Sequence, residues 1–121
     1  MKGDTKVIEY LNRGLRSELT AVSQYWLHFR MLNDWGYIEL AKFWRKESIE
    51  EMRHADDLIH RILFLDALPN YQRLLPLRIG QSIRAQFESD MSIEVEVVER
   101  LRPGIAMCRS KGDITSANLL E

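Results

Sequence analysis

One cysteine, three prolines and six glycines are all that the 121 residues contain of those types, and each scarcity excludes something. Cys108 has no partner for an intrachain disulfide, so the fold does not rest on cross-links, and the chain fits a reducing compartment. The expected location is the cytoplasm. Excess charge of one sign is also missing: 17 Lys and Arg against 18 Asp and Glu leave a net charge of -1. Neither the basic footprint of a nucleic-acid binder nor the strong net charge of a disordered chain is present. No run approaches the ~20 apolar residues of a membrane span. The opening Met1-Lys2-Gly3-Asp4-Thr5 leads into charged sequence rather than the apolar stretch of a signal peptide.

What is present is helical spacing. Hydrophobic residues make up 45% of the chain, enough for a core, and fall into three runs at about 5–35, 37–65 and 82–111. Each is far longer than the mean helix of about 11–12 residues. Asp4 or Thr5 can cap the first run and Ser82 the third. No alternating pattern long enough for a sheet occurs, so the expectation is one all-α domain over residues 1–121. A turn at Gly36 makes the first two helices antiparallel neighbours. The link from Asp66 to Gln81 can run the length of a bundle and set the third helix parallel to the second, one recognised wiring of four helices. From Asp113 a fourth helix begins, at about 114–121.

Heptad rows place carboxylates where a core belongs. The first helix turns inward Ile8, Leu15, Val22 and Phe29 with Leu11, Glu18, Tyr25 and Leu32. The second turns in Leu40, Glu47, His54 and Arg61 with Trp44, Glu51, Leu58 and Leu65. In the third the rows are Ile83, Asp90, Val97 and Gly104 with Phe87, Glu94, Leu101 and Cys108. An unpaired buried carboxylate is costly, so such groups are paired, protonated or bound to metal. Glu18, Glu51 and Glu94 at similar depth suggest a shared cation site, and Glu51 and His54, at i and i+3, project to one side of their helix. A donor set of carboxylate and imidazole suits iron, manganese or zinc.

A lone Glu-x-x-His is equally the mark of a solvated face, here with Arg45 or Arg53 as surface partners. Three helices, each with Glu on the core row, favour metal. Glu47 and Asp90 are expected to be merely polar at a bundle edge, and His28 and His60 to lie on the surface. A displaced stripe, Ile49, Met52, Ile59 and Leu63, with Leu19, Ser23 and Trp26 on the first helix, suggests a subunit interface. Across an isologous interface Met52 can face its own copy.

Arg13-Gly14-Leu15-Arg16-Ser17-Glu18-Leu19-Thr20-Ala21 and Glu50-Glu51-Met52-Arg53-His54-Ala55-Asp56 resemble bacterioferritin sequence. So do Leu68-Pro69-Asn70-Tyr71-Gln72-Arg73-Leu74, Arg78-Ile79-Gly80-Gln81 and Thr115-Ser116-Ala117-Asn118-Leu119-Leu120-Glu121. The resemblance implies a ferritin-like four-helix bundle assembled from dimers into hollow 24-subunit shells. It implies oxidation of Fe(II) at a di-iron centre and storage of the ferric mineral. Glu18 and His54 would be terminal ligands of one iron, Glu51 a bridge, Glu94 a terminal ligand of the other, and Tyr25 a supporting tyrosine. Met52 would be the axial ligand of a b-type haem shared by two subunits, with Leu19, Ser23 and Trp26 nearby.

The family's fourth helix carries a second Glu-x-x-His that has no counterpart here, so the expectation is a separate polypeptide supplying that helix. The alternative is a haem-binding structural shell subunit without its own ferroxidase activity. Lys46 and Glu50 stand where some members have the His and Asp of an auxiliary inner-surface iron site, and Lys46 argues against that site. Pro103 is expected to kink the third helix.

Overall fold

A computed structural model of the protein describes residues 2–71 and 74–121; Gln72 and Arg73 of the crossover motif, and Met1, lie outside the described residues. Regular structure among the described residues is entirely helical: α1 (Thr5–Asp34), α2 (Ile38–Phe64), α3 (Ile83–Ser110) and α4 (Ile114–Leu120).

Local chemistry sets these ends. The Asp4 carboxylate accepts from the backbone N–H of Lys6 at 2.9 Å and of Val7, an acceptor for two donors that the first turn leaves unpaired. Ser82 accepts from the Ala85 N–H at 3.1 Å and opens α3 in the same way. Gly36, at a φ of +90°, reverses the chain between α1 and α2 where a side chain would be strained. α3 runs through Pro103 without interruption; the proline removes one hydrogen bond and its ring is exposed. Asp113 accepts from the Ser116 N–H and pairs with Arg61 of α2 at 2.9 Å, which pins the start of α4.

Side-chain pairs give the directions. Ser48 donates to the Val22 carbonyl, and Tyr25 packs on Trp44 with ring centroids 5.1 Å apart, so α2 runs antiparallel to α1. The Tyr10 ring lies where any Cβ on Gly104 would sit, while Tyr25 meets Glu94 and His28 meets Asp90. α3 is therefore antiparallel to α1 and parallel to α2, as the crossover length predicts. The backbones of α2 and α3 do not approach each other, and an open groove separates them.

Two apolar clusters fill the molecule. One gathers Val7, Leu11, Leu15, Leu19, Ala55, Leu58, Ile62, Leu65, Leu101, Cys108, Ala117 and Leu120. The other holds Ala21, Tyr25, Leu32, Ala41, Trp44 and Ile93. Leu19 is thus a core residue rather than part of an exposed flank, and Phe87, expected inward, is exposed.

The crossover is tied down along α1 by side chains four or eight residues apart. Asn12 accepts from the Asn70 N–H (2.7 Å), Thr20 from Leu75 (2.9 Å), Gln24 from Arg78 (2.7 Å) and His28 from Gly80 (3.0 Å). Two expectations are corrected here. His28 is fully buried, because the crossover covers it with the Gly80 N–H, and Asp90 nearly so, because it packs on α1 and is held there by Gln24 and His28. Heptad rows register only helix-to-helix contacts, and an irregular segment lying over a helix escapes them. His60 is exposed, as expected.

Candidate metal centre

Between the two apolar clusters lies a polar layer. Glu18 on α1 and Glu51 on α2 reach it from antiparallel helices, and His54, one turn after Glu51, joins them. Each of the three offers a ligand atom, and those atoms lie within 4.8 Å of one another. His54 Nδ1 stands 3.4 Å from Glu51 Oε2 and 3.8 Å from Glu18 Oε2. The two carboxylates are largely buried, at 19% and 14% side-chain exposure, whereas His54 is 60% exposed at the mouth. Glu94 on α3 lines the same groove and accepts a hydrogen bond from the Tyr25 hydroxyl at 2.5 Å.

The electrostatics are those of a site short of positive charge. Glu18 Oε2 is buried with no hydrogen-bond donor to satisfy it. Burial, then the neighbouring Glu51 and Glu94, push the Glu18 carboxyl up from 4.5 to about 10. Burial and the bond to Glu94 likewise raise the Tyr25 phenol, so it stays a donor that orients Glu94. Glu47 is raised by burial, then by Glu50 and Glu51, as expected of a polar group at the edge of this field. Lys46 pairs loosely with Glu50 at 3.9 Å on the surface.

A dication relieves all of this at once. It supplies the missing partner for Glu18 Oε2, screens three carboxylates from one another, and takes a neutral imidazole as borderline ligand. Without metal, the sign of the pH dependence follows from the raised group. The unfolded chain loses the Glu18 proton near 4.5 while the folded protein holds it to about 10. Stability of the metal-free protein therefore falls as pH climbs through that window. Thermal melts in chelator should show the fall, and Glu18→Gln should flatten it; parallel slopes would remove Glu18 as its source.

The groove that holds Glu18, Glu51, His54 and Glu94 has a volume of about 770 Å³ and runs on past Leu58, Val97, Val98, Leu101, Ile105 and Leu119. Across the molecule, Met52 is half-buried against the first cluster beside Ile59, and Leu63 is exposed. On α1, Ser23 is half-buried and Trp26 is 42% exposed with Arg45 over its ring. Sequence reasoning found Glu18, Glu51, His54, Glu94 and Tyr25, and the structure brings them to one layer. It missed the buried polar set of Gln24, His28 and Asp90.

Comparison with known proteins gives a consistent picture. The ferritin-like domain family matches residues 8–121. A bacterioferritin of Mycobacterium bovis is 58% identical over 121 residues, which is 100% of this chain and 76% of that protein. One from Streptomyces coelicolor is 53% identical, covering 100% of this chain and 72% of its own length. Among solved structures, Mycobacterium tuberculosis bacterioferritin BfrA superposes with a TM-score of 0.97 at 57% identity, over 99% of this chain and 76% of that one. Rhodobacter capsulatus bacterioferritin, solved with a metal-free dinuclear site and a haem iron in a crystallographic special position, gives 0.97 at 54%, over 99% and 75%.

Proposed function

The chain belongs to the bacterioferritin family, and from that premise we propose that it oxidises Fe(II) at the Glu18–Glu51–His54–Glu94 layer and stores the ferric product. The observation that carries the reading is the unsatisfied, charge-crowded Glu18 carboxyl at the meeting point of the helices. Fe(II) is the substrate. Glu18 and His54 hold one ion, Glu51 bridges, and Glu94, oriented by Tyr25, holds the other. Two ions side by side pass two electrons to O2 or peroxide together, so no radical need be released. Metal entry displaces the proton that Glu18 holds at neutral pH, which couples uptake to proton release.

The open groove supports a further helical segment laid between α2 and α3, bringing additional carboxylate and imidazole ligands to the second ion. Its apolar walls favour such a cover by roughly 1.5–3 kcal/mol for each large side chain removed from water. The expectation of a separate polypeptide as its source finds no support among the relatives, whose single chains carry additional length beyond the region matched here.

A b-type haem fits at Met52, whose half-buried thioether lies beside Ile59 at the edge of the core. Bound between two copies, with Ser23 and Trp26 at its border and Leu19 beneath, it would supply a one-electron centre for moving electrons to the stored mineral. The assembly proposed is a shell built from such dimers. No helix among the described residues is long and apolar enough to cross a membrane, and a cytoplasmic store is the reading we propose.

The test is an anaerobic titration of the purified assembly with Co(II), an absorbing stand-in for Fe(II), followed by oxygen uptake on Fe(II) addition. Tight binding at the layer with rapid uptake is expected. Haem binding without either would favour the structural shell subunit instead.

A further inference from the structure

The buried set that the metal centre does not use has a defined protonation state. The Gly80 N–H donates to His28 Nε2 at 3.0 Å, so that nitrogen carries a lone pair and the imidazole proton sits on Nδ1. Nδ1–H in turn faces Asp90 Oδ2 at 2.9 Å. Asp90 accepts a second bond from the Gln24 amide at 2.6 Å, and Gln24 accepts from the Arg78 N–H. The Gly80 carbonyl is held by Gln86 of α3 at 3.2 Å. His28, Gln24, Gln86 and Gly80 are all buried, so no water substitutes for a lost bond.

We propose that His28 is a pH-operated latch on the end of the crossover. As the neutral imidazole it joins three elements: its own α1, Asp90 of α3, and the backbone at Gly80. A second proton has only Nε2 to go to, and there it would place N–H against N–H. Asp90 holds the resulting imidazolium as a buried ion pair, while Gly80 loses its acceptor and lets go.

The surroundings leave the decision to these groups. From α2 the neutral Trp44 ring approaches His28 at 6.3 Å, from α3 comes Asp90, from the crossover the Gly80 N–H, and on α1 the uncharged Gln24 and the Tyr25 phenol lie within one turn. The other three ties along α1 end on an amide or a hydroxyl, which do not titrate. Acid therefore opens the α3 end of the crossover at Gly80, while the ties at Asn70, Leu75 and Arg78 stay fastened. That end leads directly into α3, which carries Glu94.

Hydrogen–deuterium exchange of peptides covering 75–82, in the purified assembly and corrected for intrinsic exchange, tests the latch. Compared between about pH 8 and pH 5, protection of the Gly80 N–H should fall about 10-fold or more, the loss expected for one buried hydrogen bond. Peptides around Asn70 should not follow. His28→Gln keeps an acceptor for Gly80 and a donor for Asp90 but cannot titrate, and should hold its protection throughout. No fall in the parent, or an equal fall in His28→Gln, overturns the proposal. Should that variant not fold, Asp90→Asn decides: with the carboxylate gone, opening should move to lower pH, and an unchanged midpoint overturns the latch.

Discussion

Glu18→Ala should abolish rapid Fe(II) oxidation while leaving haem content unchanged. A loss of about two orders of magnitude or more is expected, because even the outer partners of metal ligands are worth 10–100-fold in affinity or activity. Of the four proposed ligands, Glu18 has the fewest alternatives. It is buried, its Oε2 has no other partner, and it faces both Glu51 and Glu94. Stopped-flow absorbance of the ferric product checks the result. A misfolding explanation is excluded by the melting temperature in chelator, which should hold or rise at neutral pH once a crowded carboxyl is gone. Retained fast oxidation in this variant would sink the ligand assignment.

The mirror experiment is Met52→Leu. Leucine conserves volume, so the packing of residue 52 against the first cluster should survive within about 1.5 kcal/mol. What leucine lacks is the sulfur. Haem content should drop about 10-fold or more, by the same scale of metal-site losses, and the Fe(II) oxidation rate should not change. Haem retained with an unaltered spectrum would remove Met52 as axial ligand. Together the two variants separate the proposed oxidation from the proposed haem binding.

The helices and the carboxylate layer were legible in the sequence because both obey periodicity. Each long helix ends within a residue of its predicted bounds, since Asp4, Gly36 and Ser82 act through their nearest neighbours in the chain. Glu18, Glu51 and Glu94 stood out as charges interrupting apolar rows, a one-dimensional signal of a three-dimensional cost. His28 gave no such signal, and Asp90, though on an inward row, was read as a polar group at the bundle edge. The cover over His28 comes from the crossover, which has no period, and the partners of His28 lie 52 and 62 residues away in the chain. Leu19 was assigned to a flank because one displaced stripe does not tell a second core contact from an interface. Pro103 removes a single hydrogen bond within 28 helical residues, which does not end the helix.

The fastening of the crossover to α1 also dictates what kinds of change that segment tolerates. All four ties are taken from main-chain N–H groups, at Asn70, Leu75, Arg78 and Gly80, and every residue except proline has one. The two prolines of the segment, Pro69 and Pro76, fall immediately beside donor positions and on none of them. Identity is thus less constrained than spacing at these donors, except at Gly80, where any Cβ would run into the α3 backbone at Ala85 and Gln86. One residue added or removed between Leu75 and Gly80 would carry every later donor past its acceptor, a burden that side-chain replacement does not impose.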